Sequence, residues 1–359
     1  MTDAESSTTL AREVFAGPID IVGDIHGELE ALEQLLAVLG YRGRGEHRAG
    51  RRLVFIGDLC DRGPDSPAVI RRVREMVEAG TAQCLLGNHE ISLLRGTRKE
   101  ANGWFFERDH DREAGLFETS APAGSDSERE SFLSFLRTLP LVLERDDLRL
   151  VHACWSDDRI AEVRAAAGDA SAVELYREYS ACVEGHARAS GLAAEVDALL
   201  AHYAERLRDR QARVPMLEAL AERDLAYQMS NPVRVLTSGV EQRAREPFFL
   251  AGKWRMVERA AWWESYDSTV PVFFGHYWRW PTPTAGSRYG SRATDPFGGR
   301  ASNAWLGPRH SAFCLDFSVG ARYAERLYWP DDAFVSRLGA VRWPEREVWF
   351  ENGAGADVA

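Results

Sequence analysis

Lysine is nearly missing from this chain. Only Lys99 and Lys253 occur, and the other 42 of the 44 basic residues are arginine. Set against 55 acidic residues this leaves a formal net charge of −11, which excludes any general attraction to polynucleotides or anionic membranes. The arginine bias invites a phosphate-binding reading, but GC-rich coding bias explains it more simply. Cysteine is sparse as well. Cys60, Cys84, Cys154, Cys182 and Cys314 are odd in number and scattered, with no C-x-x-C pair, which argues against a disulfide framework and a structural zinc site. No stretch approaches the ~18 apolar residues of a membrane span. Met1–Leu10 is polar, with no basic flank running into an apolar segment, so it does not read as a secretory signal. These absences predict a cytoplasmic protein with neither a membrane nor a nucleic-acid partner.

What is present is a globular composition, 45% apolar and 28% charged. The length, 359 residues, suits two units or one large α/β domain carrying an insertion; we read a single domain over 1–359. The first hundred residues repeat one grammar. Ile19–Val22 is a short apolar strand running into Gly23-Asp-Ile-His-Gly27, followed by leucines at helical spacing from Leu29 to Leu39. Arg52–Ile56 is a second strand, followed by Gly57-Asp-Leu-Cys-Asp-Arg-Gly63 and a helix with Pro67 in its first turn. Gln83–Leu86 is a third, leading into Gly87-Asn-His-Glu90. Strand, loop and helix three times over predict an α/β sheet with ligand-binding residues at the carboxyl ends of its strands.

The remainder is less regular. Leu139–Glu144 and Leu148–Val151 read as strands, the second delivering His152. Residues 157–229 carry 14 acids and 9 arginines at helical periodicity and read as a helical insertion, a cap or lid. Strand character is read again at Val233–Leu236 and Val270–Phe274, the latter ending in Gly275-His276. Residues 281–308, rich in Gly, Ser, Pro and Arg, read as a long loop. Ala312–Phe317 and Val341–Trp343 read as closing strands.

Taken singly, Asp24 with His26, Asp58, Asn88 with His89, His152 and His276 are ordinary turn or core residues. Together they are not. Five strand ends of one sheet finish on Asp, Asn or His and none on Lys, a donor set suited to borderline divalent metals such as Mn²⁺, Fe²⁺ or Zn²⁺. Two cations ~4 Å apart, sharing an anionic bridge, are the arrangement by which two-metal hydrolases clamp phosphoryl oxygens.

The three Gly-bounded motifs resemble the signatures of the calcineurin-like metallophosphoesterases, and their Asp-Arg-Gly and Asn-His-Glu elements are similar to the phosphoprotein phosphatase branch. Val151-His-Ala153 and Gly275-His276 look like the last two metal-binding histidines of that family. Phe274-Gly-His276, Leu315-Asp316 and Arg342-Trp343 are similar to the tail of bacterial symmetrical diadenosine tetraphosphatases. The resemblance implies a central β-sandwich flanked by helices and two divalent metal ions, manganese first, with iron or zinc as alternatives. It implies that Asp24 and His26 hold one metal, Asp58 bridges, and Asn88, His152 and His276 complete the second. It also implies that a hydroxide between the cations attacks phosphorus, that His89 oriented by Asp61 protonates the leaving oxygen, and that Arg62 and Asn88 hold phosphoryl oxygens. The expected activity is hydrolysis of phosphomonoesters, phosphoprotein Ser/Thr or Tyr among them. A dinucleoside polyphosphate hydrolase of the diadenosine tetraphosphate type, or a phosphodiesterase, is the alternative.

Two departures stand out. Cys154 takes a place that is usually Gly, followed by a bulky Trp155, which could narrow the pocket. Cys60 takes a place that is usually aliphatic and reads as a small buried hydrophobe, with an oxidation-sensitive thiol as the sharper alternative. Arg234, or Arg243, is a candidate second phosphate contact. The aromatic group Trp254, Trp262, Trp263, Tyr277, Trp278 and Trp280 reads as core and sheet packing, with a stacking wall for a nucleobase as the functional alternative.

Overall fold

Leu53 and Phe55 turn to one side of their strand and Val54 and Ile56 to the other, yet all four are fully buried. A strand with two dry faces must be covered on both, and this strand is. The structure is a computed structural model and describes residues 9–99, 101–106, 124–166, 170–250, 252–282, 295–330 and 333–358. In chain order the strands are β1 (Ala11–Glu13), β2 (Ile19–Val22), β3 (Tyr41–Arg42), β4 (Glu46–His47), β5 (Arg52–Phe55), β6 (Ala82–Cys84), β7 (Val142–Arg145), β8 (Leu148–Val151), β9 (Glu241–Leu250), β10 (Lys253–Arg259), β11 (Val272–Phe274), β12 (Ala312–Cys314), β13 (Gly339–Trp343), β14 (Glu347–Phe350) and β15 (Gly355–Asp357). The helices are α1 (Leu29–Leu39), α2 (Ser66–Glu78), α3 (Asn88–Leu94), α4 (Gly103–Phe106), α5 (Asp126–Arg137), α6 (Asp157–Ala165), α7 (Ala172–Ala189), α8 (Leu192–Tyr203), α9 (Glu218–Met229), α10 (Pro232–Ser238) and α11 (Arg322–Tyr328).

Two sheets form the centre, one ordered β15-β14-β13-β2-β5-β6 and the other β1-β7-β8-β11-β12. Ile19, Ile21, Val54 and Ile56 from the first meet Leu143, Leu150, Phe273 and Phe313 from the second in one apolar cluster, the inner layer of a sandwich. The alternate residues, Val22, Leu53 and Phe55 among them, join a second cluster with the inner faces of α1 and α2. The fold is therefore α/β, a sandwich with helices outside it. A third, separate cluster unites Val196, Leu207, Leu217, Leu220, Met256 and Val257, from α8, α9, β10 and the stretch between the two helices.

Some segments fold differently from expectation. Val233–Leu236 is not a strand but lies within α10. Its β-branched run suggested extended chain, yet the Asn231 side chain accepts the N–H groups of Val233 and Arg234, and Pro232 sits in the first turn. The antiparallel hairpin β9–β10 was not expected, because its alternation is masked by Arg and Glu on both faces. Of the 281–308 loop, residues 283–294 lie outside the described residues, and the described flanks carry no helix or strand beyond a single bridge from Leu306 to Ala312. No helix among the described residues is long and apolar enough to cross a membrane.

Candidate metal centre and active site

β2, β5 and β6 run parallel, as do β8 and β11, so their carboxyl ends carry the loops that follow to one edge of the sandwich. β2 leads to Asp24 and His26, β5 to Asp58, Asp61 and Arg62, β6 to Asn88 and His89, β8 to His152, and β11 to His276. Asp58 lies at the centre. Its Oδ2 is 3.4 Å from His152 Nε2, 3.8 Å from His26 Nε2 and 3.9 Å from His89 Nε2. Asp24 Oδ2 is 4.0 Å from His26 Nε2 and accepts the His276 backbone N–H at 3.1 Å. Two groups of donor atoms, each within 4.8 Å, share Asp58: one of His26, Asp58 and His89, the other of Asp58, His152 and His276.

The donor set fits divalent cations on three observations. First, His26 Nδ1 faces the Cys60 carbonyl at 3.1 Å and His152 Nδ1 faces the Ile56 carbonyl at 2.8 Å. A carbonyl only accepts, so both rings carry hydrogen on Nδ1 and turn Nε2 toward the cluster, the orientation of a metal ligand. Against burial, Asp58 raises His152 to about 10, so a cation there would take the place of the Nε2 hydrogen. Second, Asn88 Oδ1 and His152 Nε2 are buried without a hydrogen-bond partner, an arrangement that costs stability unless a cation satisfies it. Third, seven non-glycine residues with left-handed φ, from +49° to +72°, belong to these loops and the segment facing them: His26, Asp58, Asp61, Arg62, His276, Trp278 and Ser318. Such strain persists where surrounding contacts impose it, and it gathers at functional sites.

Charge is concentrated here too. Burial, then Asp316 and Asp58, hold the Asp24 carboxyl well above its usual range. Burial acts the same way on Asp58, but the imidazoles of His152 and His89 outweigh it and the carboxyl ends well below its usual range. Burial, then Arg62 and His89, push His26 down, and burial, then Arg259 and His152, push His276 down; both rings are neutral. The sequence led us to expect that Asp61 would raise the imidazolium fraction of His89. Burial wins instead, taking His89 down to about 3 and Asp61 up to about 7. The pair, 2.6 Å apart, shares one proton and carries no net charge when Asp61 is protonated.

Arg62 donates to His26 Nε2 at 2.8 Å, and its guanidinium lies 4.9 Å from the centroid of the Trp278 ring. Arg234 is not brought to this cluster: its Nε donates to the Tyr176 hydroxyl on α7 at 2.6 Å. Arg243 is exposed and paired with Glu218. Cys60 is a buried thiol donating to Glu90 at 3.4 Å, and burial raises its pKa, so the small-hydrophobe reading stands over the reactive one. Trp155 is buried and bonds Asp157 through its indole N–H. Trp262, Trp263 and Tyr277 are core, Trp263 stacking on Phe274 and Phe297.

Several residues at the site were not legible in the sequence. Trp104 donates its indole N–H to Asp61 at 2.7 Å, fixing the carboxylate that faces His89. Asp316 is buried and accepts the N–H groups of Trp278 and Ser318. Gly320 closes the far wall: a Cβ there would come within 2.5 Å of His26 Cδ2 and 2.9 Å of Arg62 Nη1. Gly320→Ala is expected to push both groups aside and lower metal affinity and kcat by ~10–100-fold, the range for disturbing groups that support a metal ligand. Metal titration with kcat measured on the same samples checks this; unchanged metal affinity would show that the wall yields.

A sandwich with a cluster of Asp, Asn and His donors at its strand ends is the arrangement that the resemblance to the metallophosphoesterases implied. Residues 17–177 match the family described as calcineurin-like phosphoesterase. The family implies divalent metal ions. Among curated relatives, the asymmetrical bis(5'-nucleosyl)-tetraphosphatase PrpE of Bacillus subtilis is 35% identical over 148 residues, covering 40% of this chain and 60% of its own. The symmetrical bis(5'-nucleosyl)-tetraphosphatase of Acidovorax sp. strain JS42 is 34% identical over 170 residues, covering 44% of this chain and 52% of its own. A solved cold-active protein-tyrosine phosphatase of Shewanella sp. aligns over 97% of this chain and 82% of its own, at 14% identity and a TM-score of 0.46. The chain spans between 32% and 60% of the length of the PrpE relatives it matches.

Proposed function

We propose that this chain is a divalent-metal-dependent phosphoric ester hydrolase whose substrates are dinucleoside polyphosphates. The observation that carries the chemistry is the pair of buried, unpartnered donors, Asn88 Oδ1 and His152 Nε2, beside Asp58. The substrate class rests on the names of the relatives, which favour the polyphosphate alternative over the phosphomonoester reading. A phosphomonoester, phosphoproteins included, is the second reading, favoured by the His89–Asp61 pair: an alkoxide leaving group needs a proton far more than a phosphate does.

Two divalent cations, manganese first, would be held by Asp24, His26, Asp58, Asn88, His152 and His276, supplying positive charge to phosphoryl oxygens and activating water. Arg62, steadied over Trp278, offers forked N–H donors to the non-bridging oxygens, and the Asn88 amide adds another. Below about pH 7 Asp61 carries the shared proton and donates it to His89 Nδ1. His89 then bears hydrogen on Nε2 and passes it to the leaving oxygen, taking the Asp61 proton on Nδ1 as it does so. Above that pH Asp61 is ionised, His89 Nε2 is bare, and this donor is lost. The helices within 157–229 would cap the site and set which substrates reach it.

Turnover of diadenosine tetraphosphate, an alkyl phosphate and p-nitrophenyl phosphate by the metal-loaded chain and by His89→Asn tests this. The tetraphosphate should exceed the alkyl phosphate in kcat/KM by at least ~10-fold. His89→Asn should cost ~10²–10⁴-fold on the alkyl phosphate and much less on the nitrophenyl ester. A preference for the alkyl phosphate would install the second reading, and equal loss on both monoesters would remove His89 as the acid.

A further inference from the structure

We infer that Arg95, Arg177 and Arg234, arranged around Tyr176, form a second anion site that takes the phosphate chain of a substrate beyond the phosphoryl group being cleaved. This deepens the polyphosphate reading above and rests on it for the identity of the substrate. Helix α3 joins the two places. Its first residues are Asn88 and His89, and Arg95 caps its other end, about 10 Å along the axis at 1.5 Å per residue.

The Arg95 guanidinium stacks 3.9 Å from the centroid of the Tyr176 ring, and that of Arg234 lies 5.4 Å from it while bonding the same hydroxyl. Tyr176 is buried, and its carbonyl accepts the side-chain amide of Asn231, the residue that caps α10. The platform is thus fixed by α7 and α10 together. Arg234 and Arg177 both lie in electrostatic reach of Arg95. Lys99, one of only two lysines, lies between: its ammonium is in electrostatic reach of Arg95 and Arg62 as well as Asp61 and Asp58. Glu241 is in reach of Arg234 and Glu174 of Arg177, but neither forms an ion pair with them.

Arg72, Arg129, Arg159, Arg243, Arg300 and Arg322 each hold a carboxylate. Among the described residues, Arg95, Arg177, Arg234 and Lys99 have no such partner. Arginines without a carboxylate occur elsewhere too, Arg52 and Arg149 among them, bonded to carbonyls or hydroxyls; what sets Arg95 and Arg234 apart is that both lie on the ring of Tyr176. Holding Arg95, Arg177 and Arg234 within electrostatic reach of one another costs repulsion that an anion would offset. A cation at the end of α3 is helped by the helix dipole, but that accounts for Arg95 alone. The Arg95 guanidinium, stacked on the ring, keeps its N–H edge for phosphate oxygens, and Arg234 keeps the nitrogens beyond the Nε that bonds Tyr176.

Inorganic tripolyphosphate, used as a competitive inhibitor of p-nitrophenyl phosphate hydrolysis by the full chain at saturating free Mn²⁺, tests the site, with orthophosphate as the comparison. In Arg95→Gln/Arg177→Gln the inhibition constant for tripolyphosphate should rise at least ~10-fold, and that for orthophosphate less than ~2-fold. Lys99→Gln, at an exposed position, should weaken tripolyphosphate alone by roughly threefold. Equal changes for both anions, or none in either variant, overturn the inference. If the wild-type chain does not cleave diadenosine tetraphosphate yet tripolyphosphate still depends on these residues, the proposed function falls and the anion site stands. If the tetraphosphate is cleaved with selectivity indifferent to the substitutions, the anion site falls and the function stands.

Discussion

Asp58→Asn is expected to remove bound metal and turnover together, with kcat falling by at least ~10³-fold. Asp58 is the carboxylate that faces the Nε2 atoms of His26, His89 and His152, and it is the one residue shared by both groups of donor atoms. An amide has the same shape but no charge, so the imidazoles around it lose the anion that would balance two cations. Metal content by atomic emission, with kcat on p-nitrophenyl phosphate from the same preparation, measures both quantities. Dialysis of the wild-type chain against a chelator should abolish turnover and added Mn²⁺ should restore it, whereas Asp58→Asn should not recover. A variant that keeps its metal and works within ~10-fold of wild type would remove Asp58 from the centre of the site.

The second large effect is on stability. Glu90 is buried, and its carboxylate accepts the backbone N–H of Asp58 at 2.9 Å, of Leu59 at 2.8 Å and of Gly87 at 2.9 Å. It therefore fastens the loop after β5 to the loop after β6. Burial raises its pKa to about 7, and the N–H groups of Gly87 and Leu59 pull the other way. Glu90→Ala strands three buried donors, each worth about 1–3 kcal/mol, so a loss of about 3–9 kcal/mol is expected. Glu90→Gln turns an amide NH₂ toward one of those donors and should cost roughly 2–4 kcal/mol. For a chain of this size the Ala variant should melt about 5–10 °C lower. Calorimetry on the chelated protein reads this without a contribution from metal; a melting shift within about 1 °C would show that the loops hold without Glu90.

How far the sequence was legible depends on what each segment is shaped by. Ile19–Val22 and Arg52–Phe55 could be read because a strand buried on both faces is an apolar run, and the loops after them are marked by Gly. The donors from Asp24 to His276 could be read because each stands at the end of such a run, and they fall together in space. Residues 233–236 misled because Val and Leu favour strands locally, whereas the Asn-Pro pair ahead of them starts a helix. Gly320 and Trp104 could not be read at all, since their roles come from contacts with His26, Arg62 and Asp61 that sequence distance conceals. Glu90 was visible as a motif letter, but its hold on Asp58 and Leu59 emerges only when the two loops are side by side.

The third apolar cluster has a consequence for how the molecule breathes. Its members, from Val196 to Val257, belong to neither of the two clusters that line the sheets. Cooperative opening follows contiguous packing, so this region forms a unit whose free energy of opening lies below that of the whole. Amide protons in α8, α9 and β10 can exchange through that partial opening while β2, β5 and β11 stay closed around Asp58. Sequence change in such a unit spends its own margin of stability, not that of the metal-bearing strands. That separation leaves α8 and α9 free to diverge while the donors at the strand ends keep one geometry.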